Sequence, residues 1–421
     1  MIPLDASQPI YDVPDPSGIP DANEDRPLPG KELPRLDSGF SPLAFGGAAF
    51  SGHYQSEDHI RSSEPFRTLR LALRYGITTI DTSTYYGQSE IVLGSILRAL
   101  EPEFPRSSYK LMTKCGRFGG NKQNFDYTPS TLRKSVQRSL ERLGTTYLDV
   151  LYLHDVEFVA DPIYPEDPTG DPTRVIDDDT LRAVWGLDEN KSRGEGDDKI
   201  VAAYSELRDM RSEGLVRAIG ITGYPLPTLL RLACLLTQTF SEPLDTLMSY
   251  SHHTLSSPTA LASYIPLFFS PSRSHFSIPL VRNLFCASPL NMGFFGDRQL
   301  PSWTSVSNGM KAIRKEVIKF LEEDEDGKKR WEGGIVDLAL GYGFRRGTLS
   351  KEIPTVIGLS TLNEVHEAVR VWWEVNEDAF FEHRHVDKFK AARRKELEKE
   401  VTSMFERGGW LNWSWASPPL L

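Results

Sequence analysis

The sequence predicts a closed (β/α)8 barrel with extra helices, an acidic loop insertion and a C-terminal tail. Eight strand-then-helix units follow one another between residues 42 and 374. Apolar strands alternating with helices imply parallel pairing with both sheet faces covered. A doubly wound sheet shares that alternation, but a count of eight favours the barrel. No G-x-G-x-x-G follows the first strand, which also weighs against a dinucleotide-binding open sheet.

The units run in order. PLAFGG (42–47) precedes a helix near 63–75, and ITTID (77–81) precedes a helix at 89–100. In that helix Ser89-Glu90 reads as the cap, and Leu93, Ile96, Leu97 and Leu100 share one face. YKLMTK (109–114) leads to 129–143, where Leu132, Val136, Leu140 and Leu143 recur at helical spacing. LDVLYLH (148–154) leads to 200–213, and VRAIGIT (216–222) to 226–237. LDTLMSY (244–250) precedes a helix near 258–265. LVRNLFCASPL (280–290) precedes two, near 307–322 and 331–345, and IPTVIG (353–358) leads to 362–374.

Three segments fall outside the repeat. Residues 1–38 form an arm, and its first 35 residues carry eight prolines among many acidic residues, the composition of a disordered or loosely docked segment. The barrel is placed at 39–375. It is interrupted after the fourth strand by an insertion at 155–199 containing DPTGDPTRVIDDD and KSRGEGDDK. That loop lies on the face where barrels keep their sites. Residues 376–421 form a tail with a charged helix, AARRKELEKE, and the tryptophans Trp410, Trp413 and Trp415, expected to pack on the barrel.

Composition narrows the function classes. With 39% hydrophobic and 10% aromatic residues the 421-residue chain can bury a full core. A net charge of −10 argues against nucleic acid or an anionic membrane as partner. Cys115, Cys234 and Cys286 are too widely spaced, and odd in number, for a disulfide framework or a zinc site. No run reaches the length of a membrane span and no secretory leader is evident, so a cytoplasmic protein is expected. H-R-H at 383–385 lies in a charged helical stretch and is not read as a metal site; no metal is expected. Glycine-rich CGRFGG (115–120) lacks the Lys-Ser/Thr of a phosphate loop and is read as loop geometry.

Chemistry in such a barrel sits at the C-terminal ends of the strands. Strand two ends in Asp81 with Tyr86 in the loop beyond, strand three at Lys114, and strand four at His154. A carboxylate, an ammonium and an imidazole thus reach one rim, overhung by a phenol. Asp81 and Lys114 satisfy each other. The ammonium is expected to lower the proton affinity of Tyr86 from its usual ~10 toward working pH. Tyr86 would then move a proton on or off a carbonyl or alcohol oxygen that His154 orients. S-H-H (251–253) ends strand six on the same face, so His252 or His253 is a weaker candidate for substrate contact.

DTSTYYGQSE, KLMTKCG, LDVLYLHD, VRAIGITG, ASPLNMG and VIGLSTLNEVHEAV resemble, in order over roughly 40–375, the successive motifs of the aldo-keto reductase superfamily. The resemblance implies that Asp81, Tyr86, Lys114 and His154 are the catalytic tetrad. Tyr86 is then the acid/base and Tyr85 is not. It implies a nicotinamide cofactor bound without a Rossmann domain, contacted by Gly47, Thr222, Gly223, Ser249, Ser288, Pro289, Leu290, Asn291, Gly358, Ser360 and Glu364. Thr222-Gly223 stands where most relatives carry Ser-Asn, and Ala287 where many stack a tyrosine. No Lys or Arg occurs from Gly358 to Ala368, and Glu364 falls near the arginine that holds a 2′-phosphate in NADP-dependent relatives. NAD is therefore expected over NADP, with Glu364 facing the adenosine ribose.

LHDVEF, GITGYPL, DTLMSYSHH and ASPLNMGFF more narrowly resemble the L-galactose dehydrogenase and D-arabinose 1-dehydrogenase branch. That implies NAD-dependent oxidation of an aldose at C1 to the aldonolactone, with a small-molecule sugar as partner. The alternatives are a general NAD(P)H-dependent aldehyde or ketone reductase, and a cofactor-binding redox sensor with little turnover.

Overall fold

The structure is a computed structural model that describes residues 16–163, 170–187, 190–270, 277–297, 300, 306–323, 326–346, 349, 352–376 and 387–414. The first 15 residues of the arm, H-R-H at 383–385 and Trp415 lie outside the described residues.

Eight parallel strands close in sequence order: β1 Leu43–Gly46, β2 Thr79–Asp81, β3 Lys110–Cys115, β4 Leu148–Leu153, β5 Val216–Gly223, β6 Leu244–Tyr250, β7 Val281–Ala287 and β8 Thr355–Gly358. β8 shuts the barrel against β1, with Leu43 opposite Thr355 and Gly46 opposite Gly358. Alternate side chains fill the interior, among them Ala44, Met112, Val150, Tyr152, Met248 and Phe285. Phe40 enters just ahead of β1 and meets Phe285 edge-on at 4.9 Å. The phenol in this layer, Tyr152, shares a hydrogen bond with Thr246 Oγ1 at 2.9 Å, so neither hydroxyl is left unpaired.

Helices surround the sheet, and their apolar stripes explain their placement. In Pro129–Leu143 a proline in the first turn starts the helix and Gly144, left-handed at φ 65°, ends it. Leu132, Val136, Leu140 and Leu143 all turn inward and are buried, each contributing about 1.5–3 kcal/mol relative to exposure. Helix Ser89–Leu100 packs across it so closely that a Cβ on Gly94 would strike the Arg142 carbonyl. The residue capping this helix is Gln88, with no side-chain cap, which corrects the expectation that Ser89 caps it. The Ser89 hydroxyl instead donates to Gly47 O at 2.7 Å and bonds Thr82 Oγ1 at 2.9 Å, tying the loops after β1 and β2 together.

Other elements end differently from the pattern. β7 stops at Ala287 because Ser288 adopts a left-handed backbone, φ 61°, and turns the chain out of the sheet. The helix expected from residue 200 begins at Glu195, with Glu195, Asp197 and Asp198 in its first turn, where the helix dipole favours anions. Asp197 is fully buried against Arg231 and is no solvated charge. Two short helices, Arg174–Asp177 and Asp179–Trp185, also lie in the acidic segment.

The described part of the arm is firmly docked rather than loose. Asp25, with 0% exposure, receives Arg67 and Arg70 at 2.7–2.9 Å, and Trp373 donates to Lys31 O at 2.7 Å. At the other end helix Lys388–Arg407 buries Leu397, Val401 and Phe405 against Phe294 and Phe295. Trp410 and Trp413 meet at 4.7 Å and pack on that cluster. Among the described residues no helix is long and apolar enough to cross a membrane.

Candidate active site

Asp81 is the last residue of β2, Lys114 the fifth of β3 and His154 the first beyond β4. Their side chains therefore rise from three neighbouring strands at the C-terminal rim. Lys114 Nζ donates to Asp81 Oδ1 and Oδ2 at 2.9 and 2.7 Å and to Thr82 O at 3.0 Å. Its contact with the Tyr86 hydroxyl is longer, 3.3 Å. Tyr86 hangs over the rim on the short turn 83–89, held by Tyr86 N donating to Ser83 O and Ser89 N to Tyr86 O, each at 3.0 Å. Its ring stands perpendicular to the His154 ring, centroids 5.8 Å apart. The four residues named from sequence are brought together. Tyr85 lies beside them, its ring 5.9 Å from the His154 ring and 6.1 Å from the Tyr86 ring, and stacks under the Arg117 guanidinium at 3.9 Å.

The electrostatics correct one expectation. Burial pushes the Tyr86 phenol well above its usual range, and the carboxylates of Asp81 and Asp155 push it further; Arg117 opposes them. Lys114 does not reverse this, because two of its contacts go to Asp81 and the pair presents little net charge to the phenol. In the ligand-free site Tyr86 is a protonated phenol. Burial also pushes His154 well below its usual range, helped by Lys114 and Arg117, so the imidazole is neutral.

Its tautomer follows from the network. His154 Nδ1 lies 2.9 Å from Ser83 Oγ, which already accepts the Tyr85 N–H at 3.0 Å. The serine can donate its hydrogen to Nδ1, and the acceptor-only Asp155 carboxylate facing the other nitrogen assigns the ring proton to Nε2. Nε2 points toward Asp155 Oδ2 at 3.5 Å. With a neutral ring this is an N–H aimed at a carboxylate and not an ion pair.

Sequence reading missed a second set beside the tetrad. Asp155 pairs with Arg117, which opposes the burial that raises its proton affinity. Arg117 in turn lies among Tyr85, Phe125 and Phe158. The D in LHDVEF was the available signal, since it places an acidic residue directly after a rim histidine. His252 and His253 are both buried, which lowers their proton affinity to about 3 and about 4. His252 Nδ1 bonds Ser249 Oγ at 2.9 Å and its Nε2 bonds Ser414 Oγ at 3.1 Å, so it braces the wall from the tail.

The candidate cofactor residues line the rim from β5 to β1. Thr222 and Gly223 end β5 opposite Met248 and Ser249 of β6. A Cβ at Gly223 would strike Glu157 Oε2, and one at Gly47 would strike Asp81 O and Leu93, so both glycines permit close packing. Ser288, Pro289, Leu290 and Asn291 form a tight turn, with Asn291 N donating to Ser288 O at 2.8 Å and both residues left-handed. Asn291 Oδ1 is buried with no partner among the described residues. Gly358 is exposed at the end of β8, and nothing approaches its missing Cβ closer than 3.8 Å. That orphaned acceptor and that open glycine fit the docking of an extended polar cofactor along this edge.

Glu364, expected near the adenosine ribose, is engaged within its own turn. It accepts from Ser360 N at 2.6 Å and from Ser360 Oγ at 2.8 Å, capping the first turn of helix Leu362–Asn376. Ser360 also receives Gln55 Nε2 at 2.8 Å on its hydroxyl, and His59 Nε2 lies 3.0 Å from its carbonyl. Both contacts come from residues the sequence reading passed over.

A buried lysine–carboxylate pair, a phenol within reach of the lysine and a neutral N–H donor together can transfer a proton at one oxygen and hold that oxygen in place. Among the described residues no group of three His, Cys, Asp or Glu side chains is arranged to hold a metal ion.

The aldo/keto reductase family model matches residues 42–383. The chain is 30% identical over 336 residues to D-arabinose 1-dehydrogenase of Saccharomyces cerevisiae, covering 78% of this chain and 82% of that one. It is 31% identical over 343 residues to L-galactose dehydrogenase of Arabidopsis thaliana, covering 81% and 84%. Among solved structures, a glycerol dehydrogenase from Gluconobacter oxydans superposes with a TM-score of 0.51 at 20% identity, over 90% of this chain and 95% of that chain. At that identity the likeness speaks for the fold.

Proposed function

Because the chain belongs to the aldo/keto reductase family, whose enzymes use nicotinamide cofactors, we propose that it oxidises an aldose at C1 with NAD, giving the aldonolactone. The observation that carries this reading is Lys114 Nζ between Asp81 and Tyr86 with His154 alongside, in a chain similar to two proteins named as aldose dehydrogenases.

The bound nicotinamide supplies the hydride acceptor; the residues that would hold it are Ser249, the turn Ser288–Asn291 and the Gly358–Ser360 edge. The protein's own groups handle the proton. Tyr86, ionised, accepts the proton of the anomeric hydroxyl, and Lys114 stabilises the tyrosinate by donating to its oxygen. His154 Nε2–H donates to the sugar oxygen and orients it. In the reverse direction Tyr86 as a phenol protonates a carbonyl. The protonated resting phenol also supports a general aldehyde reductase, which stays as the second reading.

NAD over NADP rests on the absence of Lys and Arg from Gly358 to Ala368 and on the Glu364 carboxylate in that turn. Cytoplasmic placement is part of the same reading and rests on the sequence. An initial-rate screen of D-arabinose, L-galactose, L-fucose and simple aldehydes with NAD(P) and NAD(P)H tests it. Lactone formation from a sugar with NAD supports the dehydrogenase. Aldehyde reduction alone selects the reductase, and cofactor binding without turnover selects the sensor.

A further inference from the structure

Asp155 stands directly after His154 with φ 54°, a left-handed backbone that a non-glycine residue holds at a cost of about 1–3 kcal/mol. Aspartate is among the few residues that tolerate it. Such strain at a rim position calls for a reason, and the ordinary one is missing. Asp155 occupies the cap of the short 3-10 turn Val156–Phe158, yet its carboxylate makes no capping bond. Instead the backbone turn brings Oδ2 to 3.5 Å from His154 Nε2, the nitrogen that faces the reacting oxygen. Arg117 holds that same oxygen, and Tyr85 stacks beneath Arg117. Asp155 is no more enclosed than His154 itself, each being 3% exposed.

We infer that Asp155 receives the hydroxyl on the carbon next to the reacting carbon, so that it separates 2-hydroxy aldoses from 2-deoxy sugars and simple alcohols. The inference rests on the sugar-oxidation reading above. Vicinal sugar oxygens lie about a hydrogen-bond length apart, which matches one oxygen on His154 Nε2 and the next on Asp155. A carboxylate only accepts, so the group it meets must be a donor. A substrate without that hydroxyl leaves a buried charge incompletely hydrogen-bonded, which is how a polar site rejects a deoxy analogue. Arg117 fixes the carboxylate through Oδ2, leaving its remaining lone pairs to accept from the sugar hydroxyl.

The test compares kcat/KM with NAD for D-arabinose and for 2-deoxy-D-ribose, which is D-arabinose without its 2-hydroxyl, in the wild type and in Asp155→Asn. If another aldose is faster, it and its 2-deoxy counterpart replace the pair. Asparagine keeps the shape and tolerates the left-handed backbone. The wild type should prefer the hydroxylated sugar by on the order of 10- to 100-fold, and Asp155→Asn should lose about tenfold of that preference. A wild-type ratio near one overturns the inference without any variant, so a misfolded mutant cannot shelter it. Equal slowing of both sugars in the variant also overturns it, since Asp155 would then act only through His154. If the wild type oxidises no aldose while reducing simple aldehydes, the sugar-oxidation reading itself fails and carries this inference with it.

Discussion

Lys114 Nζ lies 2.7 Å from Asp81 Oδ2 but 3.3 Å from the Tyr86 hydroxyl. The lysine is anchored to its carboxylate first and reaches the phenol second. That ordering explains why burial dominates the proton affinity of Tyr86, and it sets the pH behaviour expected of the enzyme.

Replacing Tyr86 by Phe should lower kcat about 100- to 10,000-fold, the usual weight of a positioned acid/base. Cofactor affinity, followed by fluorescence titration, should change little, because the phenol transfers a proton and does not hold the cofactor. Tyr85→Phe should cost far less; a larger loss there would show that the wrong member of the pair was assigned.

The pH profile follows from the raised proton affinity of Tyr86. Oxidation needs tyrosinate, so its rate should climb as pH rises toward the phenol's range, whereas carbonyl reduction needs the phenol and should fall over the same interval. Lys114→Met removes the donor that stabilises tyrosinate, so kcat should drop and the alkaline-activating limb should move to higher pH. An unmoved limb would mean that Lys114 serves the structure alone.

Ser83→Ala removes the hydroxyl whose donation to Nδ1 favours the His154 proton on Nε2. Both neutral tautomers then compete, and kcat should fall about three- to tenfold, from the loss of roughly 1 kcal/mol of one hydrogen bond. KM for cofactor should hold. Nitrogen chemical shifts of labelled His154 report the tautomer directly, and an Nε2-protonated ring persisting in the variant would contradict the role given to Ser83.

Glu364→Gln keeps an oxygen for Ser360 N but removes the charge. Efficiency with NADP should rise about three- to tenfold relative to NAD, a modest shift because the carboxylate is already engaged in its own turn. Both cofactors must be compared at one ionic strength, since salt screens a partly exposed charge. No gain with NADP, or a wild type that prefers NADP, would remove the electrostatic basis for cofactor choice.

Most of the barrel was legible because strand and helix periodicities are local. Helix Ser89–Leu100, helix Pro129–Leu143 and strand Leu244–Tyr250 fall where the pattern put them. The convergence of Asp81, Tyr86, Lys114 and His154 was legible because rim residues follow directly from strand ends. What escaped depended on the third dimension. Asp197 falls in the acidic insertion, and its burial against Arg231, 34 residues away, leaves no mark in the local sequence. Glu364 was placed by the ribose, and its bond four residues back to Ser360 is not visible in the sequence. The left-handed turn at Asp155 leaves no periodic trace, so the Asp155–Arg117 pair emerged only with the backbone. The direction of the Tyr86 shift depended on burial outweighing a nearby cation, a balance that composition and spacing do not contain.

The most direct test of the central claim is product analysis of D-arabinose and L-galactose incubated with NAD at alkaline pH, with wild type and Tyr86→Phe side by side. The account predicts NADH and aldonolactone in equal amounts from at least one of these sugars, with formation nearly abolished in the variant. NADH and lactone formed at similar rates by both proteins, or no lactone from either sugar with NAD, would contradict it.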